Sequence, residues 1–344
     1  MKINGVFQGG GVKGIGLVGA VYAAERRGIT FHQTAGTSVG AIVAALIAAG
    51  YTGEEMRDLL TETPFGKFIR KDWYHYMYVV GPAIRLFLRK GLYSADPLET
   101  WITEVLARKG IRSFADLPRN ALRVVASDIT EGKMLVLPDD IAAYGVDPMK
   151  LPVAKAVRMS SSLPFFFDPV KFRIRASDPR GGKGRVFGKP TYVVDGAILS
   201  NYPLWIFDRD IEEWPLKIPT IGFQLVGSKE PEPRPIRGPI SMLQALFATM
   251  SAAHDLRYIE RHSRFRTVKI VSDMVHTTDF AIGEEKLKEL FRSGVRASDD
   301  FFSGWTYSGY TQELDQWIWK VRPDWKNLKK KKTEDLSGSP AMKG

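Results

Sequence analysis

The chain has 344 residues, a formal net charge of +11 and no cysteine. That length suits one large α/β domain or two small ones, and the missing cysteine excludes a disulfide framework, a thiolate nucleophile and Cys-ligated zinc. Hydrophobic residues at 44% supply a sizeable core, while charged residues at 25% are ordinary for a soluble protein.

The first stretch, Met1 to Phe7, runs straight into a strand. Its apolar run is short and glycine-interrupted, unlike a signal peptide, and no later run reaches the ~18 apolar residues of a membrane span. Gly9-Gly10-Gly11-Val12-Lys13-Gly14 follows, then a helical period from Ile15 to Arg27, closed by Gly28 in the usual C-terminal position. Phe31 to Ala35 reads as a second strand. Gly36-Thr37-Ser38-Val39-Gly40 comes next, and then a buried-helix run from Ala41 to Ala49. The opening therefore reads β–Gly-loop–α–β–turn–α, an α/β start with a parallel sheet.

A helix over 53–62 takes Thr52 as its N-cap. The stretch 64–93 interleaves Phe65, Phe68, Trp73, Tyr74, Tyr76, Tyr78, Phe87 and Tyr93 with Lys67, Arg70, Lys71, Arg85, Arg89 and Lys90. It reads either as an interfacial segment or as a helical insertion packed on the core. Ser94-Ala95-Asp96-Pro97 starts a helix to about Arg108. Strands are expected at 122–127, 134–137, 192–194, 218–226 and 267–271, and helices at 153–159, 240–262, 284–297 and 312–320. Residues 176–190 and 229–239 read as surface connections. Without a convincing linker, residues 1–325 form one domain, followed by a basic, loosely ordered tail over 326–344. Its run Lys329 to Lys332 reads as a solvated tail or as attraction to an anionic surface. Nothing resembles a nucleic-acid-binding module, so no nucleic-acid partner is expected.

Gly9, Gly11 and Gly14 fit the dinucleotide fingerprint G-x-G-x-x-G. That reading requires an acid about twenty residues on, at the end of the second strand. His32 to Ser38 holds none. The other use of such a loop is as an oxyanion hole, where backbone N–H groups face the charge that develops in acyl transfer. G-x-S-x-G between strand and helix is a nucleophile elbow, which lifts Ser38 to the sheet edge. If the first two strands are neighbours, Ser38 and the Gly10 and Gly11 amides face one space. Lys13 is expected to serve the loop structurally.

A serine nucleophile needs a base. Of the five histidines, His276 follows a late strand and best suits a triad, while His254 and His262 share a helix and His32 precedes the elbow strand. Asp195 competes: it ends the strand Tyr192–Val194, and Val193, Val194, Ile198 and Leu199 supply apolar walls that would raise its pKa.

Three separated pieces then agree with one family. Gly9 to Gly14 resembles the G-G-G-x-[KR]-G loop of patatin-like phospholipases, Gly36-Thr37-Ser38-Val39-Gly40 resembles their G-x-S-x-G, and Asp195-Gly196-Ala197 resembles their D-G-[AG]. Ser160 to Pro164 and Asn201-Tyr202-Pro203 resemble the blocks that flank the aspartate, and the likeness covers about residues 3–205. Gln8 departs from it, where many relatives carry an acid. The resemblance implies a three-layer α/β/α sandwich with a mainly parallel central sheet. It further implies a Ser38–Asp195 dyad without histidine, an oxyanion hole from Gly9, Gly10 and Gly11, and neither metal nor cofactor. Lys13, Gly14, Gly36, Gly40, Gly196 and Ala197 are expected to support these motifs. The implied activity is acyl-ester hydrolysis of phospholipids or lysophospholipids through an acyl-enzyme. Acyl transfer by the same dyad and a catalytically silent lipid-binding effector are the alternatives. The expected location is the cytoplasm, with peripheral contact at an anionic membrane surface.

Overall fold

A computed structural model describes residues 1–63, 65–68, 80–172, 190–213, 218–227, 264–273 and 282–321, with isolated positions between 236 and 275. In chain order the elements are β1 (Lys2–Phe7), α1 (Gly14–Arg26), β2 (Thr30–Thr37), α2 (Val39–Ala48), α3 (Gly53–Glu62), α4 (Val80–Arg89), β3 (Gly91–Tyr93), α5 (Asp96–Arg108) and β4 (Leu122–Asp128). There follow β5 (Lys133–Leu137), α6 (Val153–Ser160), β6 (Phe165–Phe167), β7 (Val170–Phe172), β8 (Thr191–Asp195), β9 (Thr220–Val226), β10 (Thr267–Val271), α7 (Glu284–Gly304) and α8 (Tyr307–Val321).

Local chemistry sets several boundaries. Gly28 ends α1 at φ 73°, a left-handed conformation that glycine adopts without a Cβ clash. Thr52 caps α3 in a reciprocal box: its hydroxyl accepts the Glu55 N–H at 3.2 Å, and the Glu55 carboxylate accepts the Thr52 N–H at 2.8 Å. At the start of α5 the Ser94 hydroxyl accepts the Asp96 N–H at 3.1 Å, with proline in the first turn.

The main sheet has eight strands in the order β10-β9-β1-β2-β4-β8-β7, with β5 also on β4. The run from β10 to β4 is wholly parallel. At the other end β5, β7 and β8 pair antiparallel. The sheet is thus mainly parallel and flanked by helices. Its faces separate along β1: Ile3 and Phe7 belong to the larger core, with residues of α1, α2 and α7, whereas Val6 meets Tyr202, Leu204, Ile206 and Phe207. The alternation follows from the two-residue period of a strand. A small two-stranded sheet joins β3 to β6.

The stretch 64–93 divides. Phe68 is buried against Trp101, ring centroids 5.2 Å apart, so that end packs on the core. Residues 69–79 lie outside the described residues, and α4 follows them. Also outside are residues 176–189 of the expected connection 176–190, most of 229–239 and of the helix 240–262, and the tail 326–344.

Candidate active site

The G-x-S-x-G turn forms where β2 meets α2. Ser38 is the residue before the helix, with φ 54° and ψ −126°. A non-glycine residue held there costs ~1–3 kcal/mol, which the surroundings must offset. Gly36 and Gly40 permit the turn by close approach: a Cβ on Gly36 would run into the Gly40 carbonyl group and stand 2.7 Å from the Ala41 nitrogen. The Ser38 carbonyl accepts the Ala41 N–H at 2.9 Å, so α2 starts at once.

Asp195 reaches the same point from the other direction. β2 runs parallel to β4 and ends with Thr37 opposite Val125. β8 runs antiparallel to β4 and ends with Asp195 opposite Ala126. Val124 and Ala126 also pair with Leu137 and Leu135 of β5, so β5 takes one side of β4. The other side is left to β2 and β8, whose C-terminal ends meet head to head. Gly196 lies against the Val125 carbonyl at that junction.

Asp195 is 2% exposed. Burial is the main influence on its carboxyl and pushes the pKa up to about 7; hydrogen bonds from the Ala197 N–H and the Ser38 side chain pull the other way. The Ala197 bond measures 2.9 Å. A carboxylate with that pKa, bonded to a serine hydroxyl, can accept its proton near neutral pH.

The glycine loop leaves the end of β1 and passes over the serine. A Cβ on Gly9 would clash with Asn201 Oδ1 and stand 3.2 Å from the Ser38 Cβ. The Gly9 N–H, expected as an oxyanion donor, is bonded instead to the Asn201 carbonyl at 3.1 Å. An amide held in that way supports the loop rather than facing a substrate, which leaves Gly10 and Gly11 of the three. Gly11 has φ 56°, and Lys13 closes the short 3-10 turn before α1. Gly14 opens α1 beside α2, where a Cβ would be 3.3 Å from the Val39 Cβ. Two helix N-termini, each with roughly +0.5 charge, thus adjoin the serine. Gln8 has a structural task here: its side-chain carbonyl accepts the Leu225 N–H at 2.7 Å and ties the loop to β9.

The turn after α6 holds both ends of the pair. Ser160 is fully buried; its hydroxyl accepts the Ser38 N–H at 2.8 Å and donates to the Val125 carbonyl at 2.6 Å. Two residues on, the Ser162 carbonyl accepts the Asp195 N–H at 2.9 Å. The Thr37 hydroxyl is fixed to the Ser200 carbonyl at 2.8 Å.

A family model described as patatin-like phospholipase matches residues 5–208, more than half of the chain. The chain belongs to that family. The matched span contains Ser38, Asp195, the glycine loop and the Ser160 turn. The uncharacterized protein YqhO of Bacillus subtilis (strain 168) is 41% identical over 89% of this chain and 100% of its own length. The uncharacterized protein R571 of Acanthamoeba polyphaga mimivirus is 24% identical over 86% of this chain and 91% of its own. Among solved structures, VipD from Legionella pneumophila aligns at 15% identity and TM-score 0.46, over 88% of this chain and 66% of VipD. The type III effector ExoU aligns at 13% identity and TM-score 0.44, over 88% of this chain and 53% of ExoU. The chain therefore spans about half to two thirds of the length of those two structures.

In this patatin-like chain the one histidine among the described residues, His32, stands apart from the elbow. His32 lies near the start of β2, six residues before Ser38, or ~20 Å along an extended strand. His75, His254, His262 and His276 lie outside the described residues. Among the described residues no three His, Asp or Glu side chains converge as metal ligands would, and no helix is long and apolar enough to cross a membrane. Sequence reasoning gave Ser160 and Asn201 no role of their own. The available signal was a buried-type serine closing an apolar helix before Leu163-Pro164, and an asparagine just past the aspartate turn.

Proposed function

We propose that this patatin-like chain is a serine lipid acyl hydrolase that cleaves fatty-acyl esters of phospholipids or lysophospholipids. The observation that carries the reading is the hydrogen bond between the Ser38 side chain and a buried Asp195 whose pKa is about 7. In the proposed first half-reaction, Ser38 Oγ attacks the ester carbonyl carbon as its proton passes to Asp195. The carbonyl oxygen takes the electron pair and faces the Gly10 and Gly11 amides and the adjoining helix N-termini. The tetrahedral adduct then expels the alkoxide of the lysolipid or glycerol backbone, which receives the proton from Asp195. The acyl group stays on Ser38. In the second half-reaction water attacks the acyl-enzyme, Asp195 takes the water proton and returns it to Ser38 Oγ, and the fatty acid leaves.

Lipid is favoured over a small ester by the family to which the chain belongs. The test is hydrolysis of a panel of phosphatidylcholine, phosphatidylglycerol, their lysolipids and p-nitrophenyl esters by the intact chain and by Ser38→Ala and Asp195→Asn. Either substitution should lower turnover by at least a thousandfold, with Ser38→Ala keeping the parent's melting temperature and Asp195→Asn melting no lower than the parent. Turnover within tenfold of the parent in either variant overturns the dyad.

A further inference from the structure

An amphipathic helix on a soluble domain normally turns its apolar side inward. α4 does the reverse. Its Arg85 is 3% exposed and faces inward, with its guanidinium on the Asp168 carboxylate at 2.9 and 3.1 Å and on the Gly91 carbonyl. Ile84, Phe87 and Leu88, at the i, i+3, i+4 spacing of one helical face, are 40%, 84% and 55% exposed. Pairing of Gly91 with Phe165 sets a fourth apolar side chain next to the helix end, itself 43% exposed and held at φ 65°.

Basic groups border this patch. Arg89 and Lys90 end the helix exposed. The Lys90 and Lys171 ammonium groups both approach the Tyr192 ring, 5.2 and 5.6 Å from its centroid. Asp168, beside the helix, is already paired with Arg85. The patch also adjoins the site, because β6 begins three residues after Ser162, whose carbonyl holds the Asp195 N–H.

We propose that the outward face of α4, with Phe165, is a docking surface for an anionic lipid bilayer. Ile84, Phe87, Leu88 and Phe165 enter the boundary between head groups and acyl chains, while Arg89, Lys90 and Lys171 meet lipid phosphates and anionic head groups. Charge decides for a bilayer over a second copy of the chain. A twofold contact sets the same patch against itself, which would bring together two copies of a border that holds Arg89, Lys90 and Lys171, on a chain of net charge +11. The buried Arg85–Asp168 pair acts as the anchor that keeps the apolar face outward. The purpose of the surface rests on the lipid-ester reading of Ser38, but its test does not.

The test is co-sedimentation of the full chain with unilamellar vesicles of phosphatidylglycerol and phosphatidylcholine, and with phosphatidylcholine alone. Ser38→Ala is run beside the parent and should bind equally, which separates docking from hydrolysis. Phe87→Glu with Leu88→Glu should lower partitioning at least tenfold, while turnover of a water-soluble p-nitrophenyl ester and the melting temperature hold within twofold and two degrees. Arg89→Glu with Lys90→Glu should remove the preference for phosphatidylglycerol. Partitioning of the Phe87/Leu88 variant within twofold of the parent overturns the proposal. So does a parent that elutes as a dimer and a Phe87/Leu88 variant that elutes as a monomer, since the face then belongs to a second copy.

Discussion

The Ser38 backbone N–H bonds to the Ser160 hydroxyl at 2.8 Å across 122 residues of sequence. Ser160 in turn donates to Val125, the β4 residue opposite Thr37. The strained elbow is thereby fixed to β4, the strand on which β8 also pairs, with Asp195 opposite Ala126. Ser160→Ala leaves the part-buried Ser38 N–H without that acceptor, at a cost of ~1–3 kcal/mol. Turnover should fall roughly ten- to a hundredfold with KM nearly unchanged. Steady-state kinetics on a soluble ester checks this. A rise in KM at constant kcat would assign Ser160 to substrate binding instead.

Gly9 makes a steric prediction. A methyl group there meets Asn201 Oδ1 and comes within 3.2 Å of both the Ser38 Cβ and the Thr37 carbonyl oxygen. Gly9→Ala should displace the loop by a fraction of an ångström and lower turnover by about a hundredfold. Circular dichroism should stay that of the parent. Parent-like turnover would show that the loop does not need its present position.

Asp195 makes a prediction in pH. With its pKa raised from the ordinary 3.8 to about 7, the proton acceptor is available only above that value. kcat/KM should climb about tenfold per unit below pH 7 and level off above it. Stability should move oppositely. The neutral carboxyl stabilises the fold fully below pH 3.8, and that contribution is lost as pH rises through about 7. Asp195→Asn keeps the group neutral, so the variant should be more stable than the parent above pH 7, by on the order of a few kcal/mol, and melt higher. The gap should close toward pH 4. Thermal scans across pH 4 to 9 read it out, and a parent that melts higher at pH 8.5 contradicts the desolvated carboxyl.

Much of this site is legible in the residues themselves. The strand before Ser38, the apolar helix after it and the glycines around it follow from local sterics and periodicity. The aspartate is visible because a strand ends on Asp-Gly. What the sequence leaves hidden is relational. Nothing in Thr191–Asp195 shows that β8 runs antiparallel and meets β2 end to end on β4, since pairing direction is set by the tertiary path of the chain. The tie of the Gly9 amide to Asn201 hides for the same reason, as backbone partners leave no mark on side-chain pattern. α4 shows its apolar period but not its inversion, because Arg85 is turned inward by the distant Asp168 and by the Gly91 carbonyl beyond the helix.

A second buried ion pair governs stability away from the elbow. Arg266 meets Asp208 through two bonds of 2.6 and 2.8 Å, with side-chain exposures of 4% and 11%, and its guanidinium lies 5.1 Å from the Trp317 ring centroid of α8. Removing one partner strands the other charge. Arg266→Met should cost ~3–5 kcal/mol, and Asp208→Leu together with Arg266→Met should cost less than that single change. Urea unfolding of the three proteins decides it. A single variant as stable as the parent would mean that the pair is solvated.

The central claim is that Ser38 is a nucleophile served by Asp195 and by no histidine. Its most direct measurement is the site and rate of covalent labelling by a fluorophosphonate, read by peptide mass spectrometry. The adduct should appear on the peptide containing Ser38, at least a hundredfold more slowly in Asp195→Asn and at the parent rate in His32→Gln and His276→Ala. An adduct on another serine, or labelling lost in folded His276→Ala, would contradict the dyad.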